Sequence, residues 1–225
     1  MKVSEDHHPF LQLDETTSPA DPAAGIKRFF AKVGGLFYRD SAGAESQIAV
    51  LTDLHSPQGK HSVPIVAGAI SATSASGCST LQTIAGAANQ PDIVSVDFDP
   101  STQEHAQFQI PMPKSWNQGT ITARFRWSHA ATTTNFGVTW GIRAVAISDN
   151  DSIAATYGTE QIIADTGGTT NNLYISAECP AVTIGGSPAQ ADTVIFQIFR
   201  KVADASDTMA VDARLHSVEL FITTN

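Results

Sequence analysis

The chain has 225 residues, of which 42% are hydrophobic and only 16% charged, with a formal net charge of -9. That length allows one or two domains, and the shortage of charge, made up by Thr, Ser, Ala and Gly, suits a turn-rich β-protein better than a helical bundle. The acidic balance argues against a nucleic-acid partner, and no apolar run approaches the roughly 20 residues that a bilayer-spanning helix needs.

Residues 1–17 are polar, with "SEDHHP" and "DETTS", and are expected to form an extended arm. "MKVSEDHHPF" has no apolar core of the secretory-signal kind, so synthesis in a cytoplasm is expected. Residues 18–50 then read as a small β module. "PADPAAG" gives a proline-rigid lead-in, "IKRFFAKV" and "LFYRD" are strand-like, and Gly34-Gly35 suits a tight hairpin turn. Asp40 to Gly43 makes a second turn, and "AESQIAV" starts a third strand. Its apolar residues include Ile26, Phe29, Phe30, Val33, Leu36, Phe37 and Tyr38. They fall on both faces of the module, and one small sheet cannot hide two apolar faces. Copies of the module packed around a symmetry axis can. These seven residues are therefore the candidate oligomerisation and attachment set; the competing expectation is that they dock on the rest of the same chain.

Residues 51–90 read as a connector with short strands, since their Gly, Ser and Ala content disfavours a long helix. From residue 91 a period-2 pattern sets in and predicts an antiparallel β-sandwich, jelly-roll-like, over 91–225. "DIVSVDF" and "HAQFQIPM" open it. "TITARFRW" sends Ile121, Ala123, Phe125 and Trp127 one way and Thr122, Arg124 and Arg126 the other. "VTWGIRAVAI" is a long strand whose phase slips near Ala144-Val145, which predicts a bulge there. "SDNDSIAATYG" is the best helix candidate, with Ser148 and Asp151 at capping-box spacing and Gly158 as the stop. "DTVIFQIFRKV" and "VDARLHSVELFITT" are long strands, the latter with a change of phase before "ELFIT".

Few patterns carry chemistry. There is no GxSxG, HExxH, P-loop or GxGxxG. None of the seven histidines has a His or Cys two to four residues further on, and the His7-His8 pair is expected to be solvated rather than metal-bound. "DNDSIAATYGTE" begins like a calcium loop, but Ile153 and Ala154 stand where a ligand and a glycine are required. Asp149, Asp165 and Glu178 are the carboxylates a glycosidase would draw on, and any acidic β-protein offers as many. No cofactor, no metal and no enzymatic activity are expected. Cys78 and Cys179 read as two free thiols, with one long-range disulfide as the alternative. Sugar contact is the better prospect, because loops on a rigid sandwich carry such sites. Trp127 and Trp140 fall on inward faces, whereas Trp116 sits in a loop after two prolines, either as a stacking platform for a glycan or as a seal on the sandwich edge. The tips at Ala131–Asn135 and Gly167–Asn172 supply hydroxyls and amides.

"PADPAAGIKRFFAKVGGLFYRDSAGAESQI" is similar to a segment that recurs near the N-termini of tailed-phage fibre and other minor virion proteins. "MPKSWNQGT", "TTTNFGVTWGI" and "SDTMAVDARLHSVELF" resemble a domain of phage structural proteins. Together the two cover most of the chain. The resemblance implies a virion protein made in the bacterial host's cytoplasm. It would be homotrimeric; the expected role is a tail-fibre or spike-like component, joined to other virion proteins by its N-terminus and in contact with host surface polysaccharide through its sandwich. A head fibre, decoration protein or baseplate part is the alternative, and a small glycan-degrading enzyme the distant one.

Overall fold

The structure, a computed structural model, describes residues 19–32, 35–49, 59–130 and 136–224. The chain divides into two compact units, residues 1–58 and 59–225. The expected arm over 1–17, the hairpin tip at Val33-Gly34 and the tip at Ala131–Asn135 lie outside the described residues.

The first unit is an antiparallel three-stranded meander of β1 (Arg28–Lys32), β2 (Gly35–Arg39) and β3 (Glu45–Ala49). Lys32 pairs with Gly35. In the second turn Asp40 Oδ1 accepts from the backbone N–H of Ala42 and of Ala44, 2.9 Å each. Gly43 takes a φ of +80°, which a residue without Cβ adopts at little cost.

The second unit is a β-sandwich. Its strands are β4 (Gly59–Val66), β5 (Ser71–Ala72), β6 (Gln82–Ile84), β7 (Ile93–Phe98), β8 (His105–Pro111), β9 (Thr122–His129), β10 (Phe136–Ile147), β11 (Gln161–Gly167), β12 (Tyr174–Ile175), β13 (Ile184–Gly185), β14 (Thr193–Arg200) and β15 (Ala213–Thr224). One sheet runs β11-β10-β14-β8-β5, with β13 beside β10; the other runs β12-β9-β15-β7-β6, with β4 beside β15. Numbering β7, β8, β9, β10, β11, β12, β14 and β15 from one to eight gives sheet orders 1-8-3-6 and 2-7-4-5. That alternation between sheets is the jelly roll of two interlocked Greek keys, as expected.

The core lies between the sheets. Ile121, just before β9, and Ala123, Phe125 and Trp127 of β9 are all fully buried. Trp140 of β10 sits between Phe98, edge-on at 5.4 Å, and Phe125, stacked at 5.5 Å. Aromatic pairs in these geometries add to their area burial. β15 changes phase as its sequence implies: its register against β9 shifts between Leu215 and Ser217, a bulge that returns Val218, Leu220 and Ile222 to the core.

Three expectations are corrected. The connector is partly built into the sandwich, because all eight residues of β4 pair with β15 from Val66↔Ser217 to Gly59↔Thr224. β10 carries no register shift against β14 near Ala144-Val145; Ala144 stays on the inner face, and Val145 is buried on the other face. Residues 148–158 are not helical. The backbone N–H of Ser148 donates to Asp151 Oδ2 at 3.2 Å, the Ser148 hydroxyl donates to Asp192 Oδ2 at 3.0 Å, and Asn150 has a φ of +65°. These side-chain bonds close a turn instead of capping a helix, and a left-handed residue cannot propagate one.

Candidate functional site

Two surfaces concern function, one on each unit. On the opening meander, alternation places Phe30 and Phe37 on one face and Phe29, Leu36 and Tyr38 on the other. The first face is closed. Phe30 is buried and stacks on Phe37 at 6.0 Å, Lys32 lies 4.6 Å over the Phe37 ring, and Glu45 accepts from Lys32 at 2.5 Å and from Arg39 at 2.9 Å. Arg39 also pairs with Asp21 of the proline-rich lead-in, at 2.5 Å. The second face is open. Phe29 is 56% exposed and Tyr38 half-buried, their rings 6.3 Å apart, and Ile26 (56%) and Ile48 (47%) are exposed as well. Of the seven candidate residues, Ile26, Phe29, Leu36 and Tyr38 therefore remain accessible to some degree, Phe37 is half-buried and Phe30 is withdrawn. Val33 lies outside the described residues.

Trp116 is not a stacking platform. It is fully buried, bridged to Thr224, with its backbone N–H donating to the Pro113 carbonyl at 2.9 Å and its own carbonyl accepting from Gln190 Nε2 at 3.2 Å. No face of the indole is open to a sugar; the ring closes the edge of the sandwich. Trp127 and Trp140 are core residues, as expected.

The second surface is the outward face of the β11-β10-β14-β8 sheet. Register places Gln107 (β8), Gln197 (β14) and Arg143 (β10) in one row across three adjacent strands. Arg143 Nε donates to Gln197 Oε1 at 2.7 Å, and its guanidinium lies 5.0 Å from the centroid of the Tyr157 ring. Gln197 is only 9% exposed, and its amide nitrogen has no partner among the described residues. The neighbouring row holds His105, Phe199 and Gly141. Phe199 is fully buried although it faces outward, because Gly141 leaves room for its ring: a Cβ there would stand 2.2 Å from it. Burial first, and then the nearby charge of Arg143, push the His105 pKa below its ordinary value, so the imidazole is held neutral. Burial raises the Tyr157 pKa, so the phenol keeps its proton. Lys201 is neutralised by Glu160 at 2.6 Å.

Tyr157 is placed by a strap of residues 154–160. The Gly158 N–H donates to the Ala144 carbonyl at 2.9 Å, and Gly158 and Gly185 allow the strap and β13 to approach backbone to backbone. Chain distance hides this row in the sequence. Its one local signal is Gln197, a polar residue interrupting the apolar run "VIFQIF". Among the described residues, no group of three or more His, Cys, Asp and Glu side chains is placed to hold a metal ion. Cys78 and Cys179 are free and buried, their pKa values pushed up by burial to about 12 and about 11, so both thiols stay protonated.

No protein-family model and no curated protein matches the chain. Solved structures do. The family 11 carbohydrate-binding module of Clostridium thermocellum, in complex with a β-1,3-1,4-mixed-linked tetrasaccharide, is 10% identical over 77% of this chain and 90% of its own, with a TM-score of 0.35. A family 61 carbohydrate-binding module in complex with β-1,4-galactotriose is 15% identical over 74% of this chain and 89% of its own, with a TM-score of 0.30. A protein of unknown function from Shewanella oneidensis is 12% identical over 75% of this chain and 88% of its own, with a TM-score of 0.33. All three likenesses are distant.

Proposed function

We propose that this chain is a non-catalytic attachment protein of a tailed-phage virion, a fibre- or spike-like component. Its opening module associates in threes and joins the particle, and its jelly roll contacts glycan on the host surface. One observation carries the reading: the meander closes one face with ion pairs and leaves Phe29 of the other face in water on a sheet of only three strands, with Ile26 of the lead-in and Ile48 of β3 exposed as well. Three strands with a wet apolar face are marginal alone, and a symmetric partner supplies the missing layer. The resemblance of residues 19–48 to the opening segment of phage fibre proteins points the same way. The sandwich encloses a core of its own. Immunogold labelling with antibody against the sandwich should decorate an appendage of the phage particle, and removal of residues 1–50 should abolish incorporation. Particles that incorporate the shortened chain as well as the full one would remove the anchoring role.

A further inference from the structure

We propose that the row on the outer face of the β11-β10-β14-β8 sheet binds a carboxylate-bearing sugar, a uronic-acid unit of an acidic surface polysaccharide, with Arg143 as the carboxylate receptor. The inference rests on the reading of the sandwich as the glycan-contacting unit and adds the place and the chemical class. Arg143 is fixed on two sides, by the bond from its Nε to Gln197 and by the Tyr157 ring. No carboxylate of the chain pairs with it among the described residues. Its two terminal nitrogens therefore remain as a positioned planar fork, the geometry that meets a carboxylate with two parallel hydrogen bonds. The side chain was ordered on folding, so little rotamer entropy remains to be lost on binding.

The surroundings suit a sugar. Gln197 keeps an unused amide N–H₂ although the residue is nine-tenths buried, and Gln107 is exposed one strand away. Both lie in register with Arg143, so hydroxyls flanking a carboxylate meet amide donors and acceptors in a line. His105 is neutral and Lys201 is paired, so the row offers one guanidinium rather than a basic field. A single fork flanked by amides matches a planar carboxylate with hydroxyls beside it, whereas a phosphate backbone is held by several cations together.

Calorimetric titration of the full chain tests this with oligogalacturonate and oligomannuronate, their methyl esters, dextran and dextran sulfate. At least one free acid should bind, at least tenfold more tightly than its ester, which differs only in the masked carboxylate. Arg143→Gln should erase that difference. Arg143→Lys, which keeps the charge and the stem but lacks the fork, should lose most of it. Arg124→Gln, on the opposite sheet, should leave it unchanged. Acid and ester binding alike, dextran sulfate binding more tightly than either acid, or undiminished binding by Arg143→Gln would each overturn the inference while leaving glycan contact standing. If none of the six probes binds, the inference and the glycan-contact reading fall together.

Discussion

Arg200 is fully buried, and its guanidinium is held by Asp207, itself almost without exposure, through Nε at 2.9 Å and Nη2 at 2.7 Å. The other N–H groups donate to the carbonyls of Val211 and Met209, and Asp207 Oδ2 also accepts from the Thr139 backbone. This cluster ties the long β14–β15 connection to β10. Removing one member of a buried pair strands the other charge, at about 3–5 kcal/mol. Asp207→Ala should therefore lower the unfolding free energy by about that amount in urea titration; a loss under about 1 kcal/mol would show that the pair does not hold the connection. His105 offers a pH test. Its folded-state pKa lies below the ordinary 6.5, so the unfolded chain takes up a proton near pH 6.5 that the folded chain still refuses. The stability it contributes is complete above 6.5 and is lost as pH falls through 6.5 toward the folded value. Between pH 7.5 and 5.5 the wild-type urea midpoint should fall further than that of His105→Gln. Equal falls would mean that His105 is not held neutral by its surroundings.

At the scale of elements, the strap over 154–160 positions the row's aromatic partner and depends on Gly158. A Cβ at Gly158 would stand 2.1 Å from the Thr183 carbonyl oxygen, so Gly158→Ala forces strap and β13 apart. Overpacking of this kind costs about 1–3 kcal/mol, and denaturation should show it; an unchanged midpoint would place the strap elsewhere. Gly158 also shows where sequence reading stops. Its spacing from Ser148 resembles a helix ending on glycine, yet its role is close approach to Thr183, a residue 25 positions away that no local pattern announces. Ser148 and Asp151 serve a turn as well as they would serve a capping box, and the φ of Asn150 decides between the two. Legibility was high where one strand writes its own faces: β9 alternates from Thr122 to Trp127, and the phase change of β15 marks its bulge. It was low where partners are distant. The prolines before Trp116 indicate a loop, but its burial follows from pairing with Thr224 at the far end of the chain. Gln107, Gln197 and Arg143 become neighbours only through strand order.

At the scale of the whole molecule the two units differ in how they are stabilised. The sandwich encloses its own core of aromatic and branched side chains. The meander buries Phe30 but keeps exposed apolar side chains about its open face. On the proposed reading, a chain starting at Gly59 should fold and stay monomeric, and the full chain should associate through its opening unit. The mass of the full chain in solution, read by light scattering coupled to size-exclusion chromatography, tests this most directly. The expected result is a particle of three chains at micromolar concentration that falls to one chain when Ile26 and Phe29 are both replaced by Ser. A wild-type chain that elutes as a stable monomer at the same concentration would contradict it.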